Sequence, residues 1–227
     1  MTPQRWGVVL FFVVFVIAAA AAFSFDADIR DAVKTAQGSH WRDSSEKAFH
    51  SMVRKWGDWP WLMVFAAVCL AVARLCRSRR WTRLLVAAML ASTLSGIAVN
   101  TSRLTTGRTR PRASPEVAQG FYGPWHDGKL LIGNAKYNSF PSGHTATAFG
   151  FAWPLVYGCP PAGLLALAGA ALIGWSSLML EAHHLSDVVV SIFVSGGISW
   201  LVWQWTGRHG ETTWNRIVES LRRRLRK

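Results

Sequence analysis

Charge is scarce in this chain. Only 16% of its 227 residues are Asp, Glu, Lys or Arg, whereas 51% belong to the apolar set, and mean hydropathy is positive at +0.19. Soluble domains carry about a quarter charged residues, so an ordinary cytosolic protein is excluded. A disordered chain, poor in apolar residues, is excluded with it. Cysteine is almost as rare: Cys69, Cys76 and Cys159 have no metal-like spacing and are too few for a disulfide scaffold. Acids are the rarest charges, 12 against 25 bases, for a formal charge of +13. In a soluble protein that excess would suggest nucleic acid, but its placement argues otherwise. Residues 6–25, 84–102, 137–180 and 188–207 hold no Asp, Glu, Lys or Arg at all. A bilayer core takes about 20 apolar residues per helix, so these gaps are of membrane length.

The pattern predicts an all-α, polytopic membrane protein with six spans near 6–23, 59–74, 84–101, 144–159, 162–180 and 187–205. The first also has features of a signal peptide, Arg5 ahead of an apolar run that ends in alanines; its length favours a retained helix. The segment 74–83 carries Arg74, Arg77, Arg79, Arg80 and Arg83 without an acid, and the C-terminal tail is equally basic. Both belong on the cytoplasmic side. Segment 24–58 balances six bases with six acids and suits the outer face. By alternation 102–143 and 181–187 also lie outside, although the first holds six bases against two acids. Within 24–58, Asp43 and Glu46 have capping-box spacing, and Phe49, Met52, Val53 and Trp56 share a helical face, as expected of an interfacial helix. In 212–227 an apolar stripe opposes a basic face, as in helices that rest on anionic lipid. Three regions follow: 1–58, first span and outer interfacial segment; 59–205, a core of five spans; and 206–227, a cytoplasmic basic amphipathic tail.

Three polar clusters fall on the outer side. Arg103, Arg108, Arg110 and Arg112 lie within ten residues; they repel one another unless an anion neutralises them, and guanidinium forks match phosphate oxygens. Ser142 and Gly143 open the fourth span, where free backbone N–H groups and the helix dipole receive an anion, with His144 beside them to exchange a proton. His183 and Asp187, four residues apart, share a face, so the carboxylate can hold one ring nitrogen and leave the other as a nucleophile. Ionisable groups at a membrane edge are costly, which favours function over a structural role.

Together the clusters resemble the three-part signature of the type-2 phosphatidic acid phosphatase superfamily, which also includes the vanadium haloperoxidases. Its pattern is a Lys, six residues and Arg-Pro; then Pro-Ser-Gly-His; then Ser-Arg, five residues, His, three residues and Asp. The likeness implies that His183 attacks phosphorus to form a phosphohistidine, that Asp187 orients it, and that His144 protonates the leaving oxygen and later activates water. It implies that Arg103, Arg110, Ser142 and the Gly143 N–H bind the phosphoryl oxygens, with no metal or other cofactor. Two positions depart from the pattern: Arg103 stands where the family has Lys, and Ser177 stands where it has Arg. Losing one charged contact would cost about 2 to 4 kcal/mol of transition-state stabilisation. Arg108 or Arg112 are the candidates to fill the gap, with Ser177 offering at most a hydroxyl.

The expected activity is removal of a terminal phosphate from a lipid phosphate or diphosphate at the outer face of a bacterial inner membrane, with no nucleic-acid partner. A serine hydrolase using Ser142, His183 and Asp187 would leave the arginines idle. An inactive lipid-binding or transport homologue is the reading that Ser177 favours. Substrate identity and oligomeric state are open at this level.

Overall fold

The computed structural model describes residues 3–38, 40–41, 44–113 and 117–224, with side chains for 6–38, 40–41, 44–113 and 117–207. It is mostly helical: α1 Pro3–Ser24, α2 Asp26–Gln37, α3 Ser45–Lys55, α4 Trp59–Leu75, α5 Arg79–Thr106, α6 Gly143–Gly158, α7 Pro160–Met179 and α8 Leu185–Arg224. Between α5 and α6 the chain makes a two-stranded hairpin, β1 Trp125–His126 with β2 Lys129–Leu130. Asp127 and Gly128, both at positive φ, form its two-residue turn, the type that Asp-Gly favours.

α6 is the central helix and packs against α5, α7 and α8. Small residues let the backbones approach. Ala87, Ala88, Ala91, Ser92 and Ser95 on α5 are buried, and Gly150 of α6 lies over Ala91 and Ser92. Where lipid replaces water, such close contact and interhelical hydrogen bonds do what hydrophobic burial does in soluble proteins. Ser92 Oγ donates to the Thr147 carbonyl (2.9 Å) and Ser199 Oγ to that of Gly150 (3.3 Å). The outer helices carry the apolar surface. Leu10, Phe12, Val16 and Ile17 of α1 are exposed, while Phe11 and Phe15 meet Phe193 of α8.

Among the described residues, four helical stretches are long and apolar enough to cross a membrane: Trp6–Ser24, Arg79–Thr106, Pro160–Met179 and Leu185–Gly207. α3 and α4 pass the same test only together, bent by 61°. α6, at 16 residues, is about 24 Å long, short of the roughly 30 Å of a hydrocarbon core.

Three local expectations change. The stretch 26–37, read as loop, is a helix with Asp26 and Asp28 in its first turn and Lys34 in its last, which suits the helix dipole. The N-cap of α3 is Ser44, whose hydroxyl accepts from Lys47 N; Asp43 lies outside the described residues. The sixth span and the tail form one uninterrupted helix as far as Arg224. The expected amphipathic face of 212–227 lies beyond the described side chains.

Candidate active site

Three loops meet at one end of the bundle, tied by main-chain hydrogen bonds. Ser139 N donates to Arg108 O (3.0 Å), Arg112 N to Glu181 O (3.0 Å) and Ser142 N to Asp187 O (3.2 Å). Each of the three sequence clusters therefore holds the other two in register.

His183 sits in the turn between α7 and α8, only 1% exposed. Its Nδ1 is 2.8 Å from the Ser139 carbonyl. A carbonyl can only accept, so Nδ1 carries the proton and Nε2 keeps the lone pair. Asp187 Oδ2 is 3.6 Å from Nδ1, too far for a hydrogen bond. The carboxylate expected to grip the ring thus lies alongside it, and the main chain of Ser139 does the gripping. Burial, reinforced by Arg103 and Arg110 and opposed by Asp187, pushes the His183 imidazole down to about 3. It is neutral at physiological pH.

Asp187 is fully buried and accepts from Ser139 Oγ (2.5 Å), His184 N (2.8 Å) and Arg108 Nη1 (2.5 Å). Arg108 also donates through Nη1 to Ser186 Oγ and through Nη2 to Asp26 Oδ2, both at 2.6 Å. The rings of Phe121, Phe23 and Phe140 lie 4.8, 5.1 and 5.7 Å from its Cζ. Arg108 is therefore a buried ion-pair partner of two carboxylates, which engage the guanidinium that the sequence offered for the phosphate gap. Ser177 is fully buried and its hydroxyl donates to Ile173 O at 3.0 Å.

The remaining arginines have no such partners. Arg103 donates through Nε to Pro141 O (2.7 Å) and through Nη1 to Asn100 Oδ1 (3.1 Å), and its Nη2 lies 3.4 Å from His183 Nε2. A Cβ at Gly143 would stand 3.2 and 3.3 Å from its two terminal nitrogens, so glycine lets the guanidinium rest on the start of α6. Arg110 donates to Asn138 O (3.1 Å), while its buried Nε has no partner. Burial, then Arg112, Arg103 and Arg54, push Arg110 down to about 10 against the attraction of Asp187. Such mutual repulsion marks a place where an anion is favoured.

Ser142 is the N-cap of α6, and no side chain caps that first turn. Its Oγ pairs with Thr145 Oγ1 at 2.9 Å. That pairing leaves the serine-hydrolase constellation unassembled. His144 bonds through Nε2 to Asp58 Oδ1 (2.6 Å), and its Nδ1 lies 3.4 Å from Arg54 Nη2. His144, Asp58, Arg54, Arg112 and Glu181 line a cleft of about 690 Å³. Among the described residues, no three His, Cys, Asp or Glu side chains converge as a metal cage.

A family model described as PAP2 superfamily matches residues 81–211, more than half of the chain and all three loops. The chain belongs to the PAP2 superfamily. Over 219 residues it is 26% identical to a lipid A 1-phosphatase of Rhizobium etli, covering 88% of this chain and 85% of the relative. A lipid A 1-phosphatase of Porphyromonas gingivalis is 33% identical over 117 residues, which is 50% of this chain and 22% of that one. Among solved structures, the PAP2-type phosphatidylglycerolphosphate phosphatase of Bacillus subtilis aligns with a TM-score of 0.56 at 20% identity, over 88% of this chain and 96% of that one. Aquifex aeolicus LpxE aligns at 0.53 and 21% identity, over 78% and 94%. Those two likenesses concern the fold. With its apolar helices, this PAP2 protein is an integral membrane phosphatase.

Three residues that touch these loops escaped the sequence reading: Asp26 on Arg108, and Arg54 and Asp58 on His144. All come from 24–58, where equal numbers of acids and bases gave no local excess to notice. The acidic first turn of α2 was a signal for the helix, but nothing in the sequence pointed Asp26 at Arg108.

Proposed function

We propose that this chain is a lipid phosphate or lipid diphosphate phosphatase that works through a phosphohistidine at the outer membrane face. The observation that carries this reading is an unprotonated His183 Nε2 beside the Arg103 guanidinium, which, like that of Arg110, forms no ion pair with a carboxylate among the described residues. Arg103, Arg110, Ser142 and the Gly143 N–H hold the phosphoryl oxygens. His183 Nε2 gives its lone pair to phosphorus, the bond from phosphorus to the lipid oxygen breaks, and that oxygen takes a proton from His144. His144 next removes a proton from water, the water oxygen attacks phosphorus, and the P–N bond breaks to release inorganic phosphate. Asp187, 3.6 Å from Nδ1, offsets the positive charge that the phosphorylated ring carries. The arginines stabilise the charge on the equatorial oxygens, so the steps call for no metal.

In this reading α1, α4, α5, α6, α7 and α8 cross a bacterial inner membrane and α3 rests on its outer surface. The core position of α6 compensates for its short length. The basic tail meets anionic lipid on the cytoplasmic side. The names of the relatives put lipid A phosphates first among substrates to try, beside phosphatidylglycerol phosphate, phosphatidate and polyprenyl diphosphate. The test is phosphate release from this panel by detergent-purified protein with chelator present and His183→Ala as control. Release that survives chelation and vanishes in the variant is expected. No release from any lipid would sink the activity, and loss on chelation would sink the metal-free steps.

A further inference from the structure

We propose that Arg54, on the surface helix α3, supplies the phosphate-gripping guanidinium that the third motif lacks at Ser177. This rests on the phosphatase reading above and names a residue that no motif contains. Three independent features carry it.

The first is placement. The end of α3 is fastened to the first turns of α6, because Thr147 Oγ1 donates to Gly57 O at 2.6 Å. Only glycine fits there: a Cβ at Gly57 would lie 2.7 Å from Ile173 Cγ2 and 3.1 Å from His144 Cβ. That close approach sets Arg54 over His144, with Nη2 3.4 Å from Nδ1. The second is unmet bonding. Arg54 Nε is buried without a partner, as is Arg110 Nε, and both guanidiniums belong to the group with Arg103 and Arg112 that repel one another. Asp58, the acid that attracts Arg54, is itself hydrogen-bonded to His144. Two buried donors and a surplus of like charge fit an oxyanion held between them.

The third feature explains why Ser177 is a serine. α3 packs on α7 there: His50 Nδ1 is 2.9 Å from Ser176 Oγ, and Val53 packs in one cluster with Ala170 and Ile173. His50 and Arg54, one helical turn apart, therefore share the inward face of α3. α3 thus occupies the space beside Ser176, the neighbour of Ser177 on α7. The small pair on α7 and the arginine on α3 form one exchange, in which the charge is kept and its point of attachment moves.

The test uses full-length protein in detergent, with orthovanadate as a phosphoryl probe in two readouts: inhibition of lipid phosphate hydrolysis and the rise in melting midpoint. Arg54→Ala should lower kcat/KM and weaken vanadate inhibition by about 10²-fold. Arg54→Lys should recover part of both, since it restores charge without the fork. Arg54→Gln, which keeps the stem, guards against a loss of packing and should match Arg54→Ala. His183→Ala should abolish turnover yet keep a vanadate-induced rise. If no lipid is hydrolysed, the phosphatase reading fails, while the rise still tests Arg54: its loss in Arg54→Gln supports the assignment. Wild-type vanadate response in Arg54→Ala overturns it.

Discussion

Replacing Arg108 by methionine should destabilise the protein without loosening its hold on phosphate. The guanidinium touches Asp187, Asp26 and Ser186 at 2.5 to 2.6 Å, and the arginine and aspartate side chains of the Asp187 pair are 7% and 0% exposed. Methionine preserves much of the volume among Phe23, Phe121 and Phe140 but strands two carboxylates. Asp187 would keep Ser139 Oγ and His184 N, and Asp26 would keep Ser186 N and Oγ; neither retains its ion-pair partner. Removing one partner from a buried pair costs about 3 to 5 kcal/mol. For a chain of this size that is a fall in melting midpoint of roughly 6 to 20 °C. Arg110→Met is the contrast. Its guanidinium forms no ion pair among the described residues and is repelled by three others, with only the weaker pull of Asp187 against them, so the ligand-free midpoint should hold or rise while vanadate inhibition weakens. Tryptophan fluorescence melts in detergent, with and without vanadate, read both quantities. A wild-type midpoint in Arg108→Met together with lost vanadate inhibition would refute the division of labour between the two arginines.

Other outcomes follow from single contacts. His183 titrates at about 3 in the fold against an ordinary 6.5, so between those values the unfolded chain binds the extra proton. The resulting stability is complete above 6.5 and lost as pH falls toward 3; the wild-type midpoint should drop more steeply on acidification than that of His183→Asn, and parallel curves would count against a neutral buried ring. Gly143→Ala must displace Arg103 by a few tenths of an ångström, and a loss of about tenfold in kcat/KM with little change in melting is expected; unchanged kinetics would detach Arg103 from the reacting group. Asp58→Asn removes the carboxylate on His144 Nε2 and should lower kcat by about 10- to 100-fold with KM nearly constant; a change confined to KM would make Asp58 a substrate contact.

Much of the site was legible because it is built at helix ends, where sequence spacing fixes local geometry. His183 and Asp187 are held by a turn and the first turn of α8, and Gly143 and His144 open α6. The difference between Arg108 and Arg110 was not legible. They stand two residues apart in one basic run, and only the fold decides that one meets Asp26 and Asp187 while the other meets arginines. Long uncharged runs marked the apolar helices, yet the continuity of α8 was not legible, since the sequence set the tail apart from residue 206, beside Gly207, which lies within the helix.

The tie between α2, α3 and the catalytic loops bears on what can be excised. A fragment beginning at Trp59 would retain every motif residue and the whole segment matched by the family, yet it would lack Asp26, Arg54 and Asp58. It would keep His183 but lose one of the two carboxylates paired with Arg108, the carboxylate on His144 and one of the four clustered guanidiniums. The smallest transplantable unit of this enzyme is therefore larger than its signature, and a chimera joined at residue 59 would inherit its partner's clamp.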